Sequence, residues 1–413
     1  MSTSTPTPSP SLLHWTEGGE ARSAVWQSER GALPPKRVVV IDDSTAADTA
    51  YRMACEGTGL LWRGDFQNAR LLVQAMARRV DKPAKPKREK RVKATVVVDG
   101  ETPVVTAPSA PAVKFPEAFH LHRQAQAQRA RVLGMVLIPI EPDYSMTARR
   151  APDARKAFAA AWGPADVAAG PLVTSLREIS GLISANEWRR KGVEIAALGD
   201  PPNNRIHPYY GVFSPIRGEY IDMVAQVPIP SVRTSMTAFD IGTGTGVLAA
   251  VLARRGVERV VATDLDARAL ACARNNLTRM GLLDQVELVE ADLFPEGKAA
   301  LIVCNPPWLP ARPSSPIEHA IYDEGGRMLM GFINGLAAHL APGGEGWLIL
   351  SDLAEHLKLR SREELLAAFD AAGLEVADRI DAFPNHPKAA EATDALHAAR
   401  AAEVTSMWRL VAK

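Results

Sequence analysis

Cysteine is scarce in this chain: three occur in 413 residues, at positions 55, 272 and 304. So few, so scattered, they exclude a disulfide framework and a cysteine zinc site, and they fit a reducing, cytoplasmic compartment. An excess of charge of either sign is also missing. Lys plus Arg total 48 and Asp plus Glu 47, a net charge of +1, so whole-chain charge does not point to a nucleic acid or a membrane surface. No apolar run approaches the roughly 18 residues that a membrane span needs. The opening MSTSTPTPSP has neither a basic nor an apolar signal segment, so a frayed tail is expected at 1–10 and no signal peptide. The patterns G-x-x-x-x-G-K-[ST], G-x-S-x-G and H-E-x-x-H are absent, which removes the phosphate-loop, hydrolase-elbow and zinc-protease readings.

What is present is ordinary globular material, 46% hydrophobic and 23% charged, long enough for two or three domains of about 150 residues. A small α/β region is expected over 11–80. In it Val38–Ile41 reads as a strand leading through Asp42–Thr45 into a helix cap, and Leu60–Trp62 as a second strand. Asn68–Arg79 reads as a helix with Leu71, Leu72, Ala75 and Met76 on one stripe. A basic, proline-rich linker is expected over 81–116. Between Lys82 and Lys93, seven of twelve residues are basic. That run reads either as a solvated linker or as a contact for RNA or DNA phosphates. A mostly helical region over 117–205 follows, with helices at 117–133 and 172–191.

From 206 to 413 strands and helices alternate regularly. Continuous apolar strands between amphipathic helices predict a mostly parallel sheet covered on both faces. The expected order is strand 237–239, helix 247–255, strand 260–263, helix 267–280, then strands 286–290 and 301–304. Helix 326–340, strand 347–351, a helix from Ser361 opened by a Ser361–Glu364 capping box, and strands 374–380 and 403–410 complete it.

Four motifs in this half carry chemistry. Asp240, Gly242, Thr243, Gly244 and Gly246 form D-x-G-T-G-x-G between a strand and a helix, where glycines allow a sharp turn and close ligand approach. The spacing G-x-G-x-G is not the dinucleotide fingerprint G-x-G-x-x-G. Asp264 ends the next strand, placed to accept both hydroxyls of a ribose; the capping of the following helix is assigned to Asp266. Asp292 follows the third strand, where it reads either as an acceptor for the amino group of a base or as a plain loop residue. Asn305-Pro306-Pro307-Trp308 follows the fourth. Its prolines remove two donors, its Asn305 and Pro306 oxygens can accept the two N–H groups of an NH2, and Trp308 offers a flat stacking face. Alone, it reads equally as a stiff turn with a core tryptophan. The histidines 319, 356, 386 and 397 have no metal spacing. Met328, Met330 and Cys304 read as core, and Tyr322-Asp323-Glu324 as a candidate rim of the site.

In these residues the chain resembles the class I S-adenosylmethionine-dependent methyltransferases of the N-P-P-[YFW] branch, most of all the release-factor glutamine methyltransferases. The resemblance covers about 206–413. It implies a Rossmann-like seven-stranded sheet with an antiparallel last strand, and S-adenosyl-L-methionine as cofactor. It implies that the glycine turn, Asp264 with Leu265, Asp292 with Leu293, and Asn305 line the cofactor site. It implies methylation of a planar nitrogen, either a glutamine amide in a protein or an exocyclic base amine in RNA or DNA. A non-catalytic cofactor-binding module remains a third reading. The segment Phe213-Ser-Pro215-Ile-Arg217 is similar to the family's substrate segment, with Ile216 splitting its Pro-Arg pair. Phe213, Pro215, Arg217, Trp308 and Tyr322 are thus expected on the substrate side. Trp308 stands where the family usually has tyrosine.

Overall fold

A computed structural model describes residues 11–82, 116–216, 218–230, 236–313, 318, 320–383 and 396–413. The expected tail, the run Lys82–Lys93 apart from Lys82, and Arg217 lie outside the described residues. Among the described residues no helix is long and apolar enough to cross a membrane, and no group of three or more His, Cys, Asp or Glu side chains could hold a metal ion.

The N-terminal half builds a six-stranded sheet. Its strands are β1 (Leu12–Glu17), β2 (Glu20–Trp26), β3 (Arg37–Ile41), β4 (Thr58–Trp62), β5 (Val136–Ile140) and β6 (Leu172–Ser175), in the order β1-β2-β6-β5-β4-β3. The helices of this half are α1 (Ala47–Cys55), α2 (Phe66–Val80), α3 (Glu117–Leu133), α4 (Arg155–Trp162) and α5 (Leu176–Lys191). Four expectations are corrected. The regions expected as separate, 11–80 and 117–205, share this one sheet. Residues 172–175, expected as helix, are β6, and Ser175 caps the helix after it by accepting from Glu178 N at 3.1 Å. The Asp42 carboxylate closes a local turn onto Ser44 N (2.9 Å) instead of capping α1. On α2 the buried stripe is Phe66, Ala69, Leu72 and Met76, while Leu71 is 60% exposed. The β1–β2 hairpin was not anticipated. Its signal is the Gly18-Gly19 turn, where both φ angles are positive (60° and 83°), as a two-residue hairpin demands.

After the two-residue strands β7 (Val193–Glu194) and β8 (Arg205–Ile206) and helix α6 (Glu219–Gln226), the second sheet begins. It comprises β9 (Thr237–Ile241), β10 (Arg259–Asp264), β11 (Val286–Glu290), β12 (Ala299–Cys304), β13 (Leu340–Ser351), β14 (Leu374–Ala382) and β15 (Thr405–Ala412). The order is β11-β10-β9-β12-β13-β15-β14, parallel except that β15 is antiparallel to both neighbours. This is the α/β, mostly parallel seven-stranded sheet that the sequence predicts. β13 starts seven residues earlier than expected, because Leu340 pairs with Ala299 before a bulge absorbs the Pro-Gly-Gly. Helices α7 (Val247–Arg254), α8 (Ala267–Met280), α9 (Arg327–His339), α10 (Leu353–His356), α11 (Arg362–Ala371) and α12 (His397–Ala401) complete the half. α7 is buried at every position from Val247 to Ala253, which suits a helix apolar all round. The capping box at Ser361 and Glu364 forms as expected.

The sheet's order reverses between β9 and β12, and in such sheets a cleft opens outside the carboxyl ends of the strands at that point. The segment joining the two halves runs along one wall of it. His207 N donates to Asn276 Oδ1 (2.8 Å), the Arg189 guanidinium of α5 lies 3.8 Å from the Tyr209 ring centre, and Arg268 of α8 pairs with Glu29 (3.2 Å). Asn276 is fully buried and also donates to Thr245 O at 3.0 Å. Asn276→Ala orphans a donor and an acceptor at once. Each costs about 1–3 kcal/mol, so urea unfolding of this variant will show a loss of about 2–6 kcal/mol; a loss below about 1 kcal/mol contradicts this role.

Candidate active site

The turn after β9 is built by its own hydrogen bonds. Gly242, Gly244 and Gly246 take φ values of 71°, 55° and 81°, a region that side-chain-bearing residues avoid. Thr243 N donates to Thr263 O (2.8 Å), and Gly246 N to Thr243 O (2.9 Å). Asp240 is the brace. Its Oδ2 accepts from Thr243 Oγ1 at 2.6 Å and from Ala249 N at 3.0 Å. The backbone donor at Ala249, in the first turn of α7, is thus taken by Asp240. Burial pushes the Asp240 carboxyl up to about 6, against the opposing pull of its two hydrogen bonds. Gly246 does not line the cleft. It packs on α8, where a Cβ would stand 3.1 Å from Ala273 Cβ.

Asp264, at the end of β10, locks the turn to its neighbour. Its Oδ2 accepts from Gly244 N (2.9 Å) and its Oδ1 from Asp266 N (3.0 Å). Burial raises its pKa, and these bonds oppose the rise. Asp266 caps α8 as expected, accepting from Arg268 N at 2.8 Å. Asp292, past β11, is exposed and pairs with Arg327 at 3.0 Å. Arg327 opens α9 after the Gly325-Gly326 turn, and buried Asp323 caps that helix by accepting from Met328 N (3.1 Å) and Leu329 N (3.0 Å).

On the facing side, past β12, the Trp308 indole N–H donates to Asn305 Oδ1 at 3.0 Å. This bond fixes the Asn305 side chain and uses one of the two lone pairs of its oxygen. Trp308 is half-buried, neither a free platform nor a sealed core residue.

These parts share one cleft of about 450 Å³. Asp240, Gly242, Thr243, Gly244, Asp264 and Leu265 line one end. Asp292, Leu293 and the whole Asn305–Trp308 turn line the rest, with Phe213 and Tyr322 at its walls. Pro215 is buried and is not among the residues that line the cleft. Met328 is also a cleft residue and not simple core: a Cβ at Gly242 would meet its Cε at 2.4 Å. Met330 is 37% exposed. Cys304 is fully buried, as expected. Reading the sequence missed Gly211, Val212, Tyr220, Leu353, Arg400 and Glu403. The first three sit beside a recognisable segment. Arg400 and Glu403 lie far along the chain, with no local signal to announce them.

The Asp240 pKa sets a sign for pH dependence. The folded carboxyl holds its proton up to about pH 6, against the ordinary carboxylate value when unfolded. Between pH 4 and 6 the folded state therefore binds more protons than the unfolded one, and this group's contribution to stability falls as pH rises. Asp240→Asn keeps the shape and removes the titration. Thermal unfolding of the variant will lack a loss of about 1–3 kcal/mol that the parent shows over that window; parallel pH profiles would contradict the buried-brace role.

Part of the chain is similar to known proteins. The model of the methyltransferase small domain family matches residues 203–373. The ribosomal protein L11 methyltransferase of Pelotomaculum thermopropionicum is 36% identical over 150 residues, 36% of this chain and 41% of that protein. The release factor glutamine methyltransferase of Cereibacter sphaeroides is 36% identical over 123 residues, 26% of this chain and 44% of that protein. The chain thus spans less than half the length of these curated relatives. A ribosomal protein L11 methylase structure from Lactobacillus delbrueckii subsp. bulgaricus aligns over 52% of this chain and 89% of its own, at 17% identity and a TM-score of 0.35. The family match thus falls on less than half of the chain, the part that holds the glycine turn, and it is to the methyltransferase small domain that this part is similar.

Proposed function

We propose that the C-terminal half is an S-adenosylmethionine-dependent N-methyltransferase whose acceptor is a planar nitrogen, the side-chain amide of a protein glutamine. One observation carries this reading: the glycine turn after β9 and the Asn305–Trp308 turn after β12 open into the same cleft. The protein substrates named for both groups of relatives favour a protein acceptor.

The residues fit the cofactor. A Cβ on Gly244 would project into open space, so the backbone there is approachable. Asp264 gives one lone pair of each oxygen to a backbone N–H and keeps capacity on each for a ribose hydroxyl. The cleft volume of about 450 Å³ falls within the roughly 300–1,000 Å³ of small-molecule sites. Gly242, Thr243 and Gly244 would hold the methionine part, Asp264 and Leu265 the ribose, and Asp292 and Leu293 the adenine. Bound S-adenosylmethionine supplies a methyl group carried on a sulfonium.

The chain's own residues act on the acceptor. An amide nitrogen is a poor nucleophile because its lone pair is delocalised. The Asn305 oxygen and the Pro306 carbonyl, each accepting one N–H, hold the NH2 group in one orientation and draw electron density onto the nitrogen. Trp308 presents its face to the planar group, and its N–H keeps the Asn305 oxygen from rotating away. Asn305 positions; it does not abstract the proton, which becomes acidic only as the nitrogen gains its new bond. Positioning of this kind can supply several kcal/mol of rate enhancement.

The test is label transfer from radiolabelled S-adenosylmethionine into cell lysate, followed by protease or nuclease digestion. Label lost to protease is the expected result. Label lost to nuclease overturns the protein acceptor, and no transfer overturns the activity. Within this reading, Asn305→Ala lowers turnover at least about 100-fold with cofactor affinity nearly unchanged. Asp264→Ala weakens cofactor binding about 10- to 100-fold. Calorimetry with S-adenosylhomocysteine separates the two, and lost cofactor binding in Asn305→Ala contradicts the division of roles.

A further inference from the structure

We infer that helix α3, which belongs to the N-terminal half, is the element that holds the acceptor-side wall of the cleft in place, with Arg123 as its positioning residue. The inference deepens the proposed function and rests on that reading for the word acceptor.

Helix α3 has 17 residues, so it is about 25 Å long, and its two ends are buried in different cores. At its C-terminal end Val132 and Leu133 pack into the N-terminal half, beside Leu60, Met76 and Ile138. At its N-terminal end Phe119 is 1% exposed and packs with Leu309, Ala354, Leu357, Leu396 and Ala399, all from the C-terminal half. A fully buried phenylalanine is among the costlier side chains to remove from a core, so this is a fixed contact and not a glancing one.

Arg123 lies one turn further along α3. Its guanidinium sits 3.9 Å from the centre of the Tyr322 ring, donates to the Arg312 carbonyl at 2.7 Å and pairs with Glu318 at 3.7 Å. Such a planar fork can stack and donate at once, which a lysine does less well. Tyr322 and Leu309 are bridged strand-fashion, and Leu309 N donates to Ile321 O (3.1 Å) while Asp323 N donates to Leu309 O (2.8 Å). Both Leu309 and Tyr322 line the cleft, and Leu309 directly follows Trp308. One side chain from the N-terminal half therefore clamps the wall next to the Asn305–Trp308 turn. Neither Phe119 nor Arg123 lines the cleft, so they act through that wall and not on the cofactor.

The experiment uses the full chain and two variants, Arg123→Ala and Arg123→Lys. Hydrogen exchange reads the wall without needing activity. In Arg123→Ala the Leu309 and Asp323 amides will exchange at least about 10-fold faster while the Gly244–Ala249 amides do not change. Affinity for S-adenosylhomocysteine will stay within about twofold. With radiolabelled S-adenosylmethionine and lysate protein as probe, the half-saturating lysate concentration will rise at least about fivefold, and Arg123→Lys will recover part of the loss. Unchanged exchange at Leu309 and Asp323 overturns the inference, as does a loss of cofactor affinity as large as the acceptor effect. Wild-type protein that transfers no label, with the exchange difference intact, supports the hold of α3 and overturns the methyl-transfer reading instead.

Discussion

The buried Asp240 carboxylate is the constraint on which the cleft depends. It is the last residue but one of β9, and its Oδ2 accepts from both Thr243 Oγ1 and the Ala249 N–H, which folds the glycine turn around it. With that turn fixed, the Gly244 N–H points at Asp264, and the ends of β9 and β10 become one unit. Burying a carboxylate costs stability near neutral pH, so the turn is held at an energetic expense that a purely structural loop would not need.

Across the cleft a second polar constraint works at lower cost. The indole of Trp308 fixes the Asn305 oxygen with a neutral hydrogen bond. A phenol ring in the same place would stack but would carry no in-plane N–H near its base. The tryptophan therefore adds orientation to the stacking face. The wall beside it is completed from a distance, by the end of α3 that reaches out of the other sheet. The two halves thus meet at both flanks of the cleft: through Arg189 and Arg268 on the glycine-turn side, and through Phe119 and Arg123 on the proline side.

Much of this was legible in the sequence where local rules govern. Ala267–Met280 and Val286–Glu290 fall at the expected residues because Asp266 and Gly281 punctuate the first and β-branched residues the second. The Ser361–Glu364 capping box formed because its chemistry is contained within four residues. The glycine turn and the Asn305–Trp308 turn follow strands whose apolar runs are unambiguous. What failed was tertiary. The strand Leu172–Ser175 is too short to be told from the helix it precedes, and its partners lie more than 30 residues away. Leu71 fits an apolar helical stripe, yet it is 60% exposed. Gly246 belongs to the glycine motif, but packing against α8 claimed it. No local pattern could have placed Arg123 beside Tyr322, 199 residues on along the chain.

The most direct test is a crystal structure of the full chain with S-adenosylhomocysteine. The account predicts the amino-acid part on Gly242–Gly244, the ribose on Asp264, and the sulfur turned toward the Asn305–Trp308 turn with open space between them. A molecule bound elsewhere, or one whose sulfur faces away from Asn305, would contradict it.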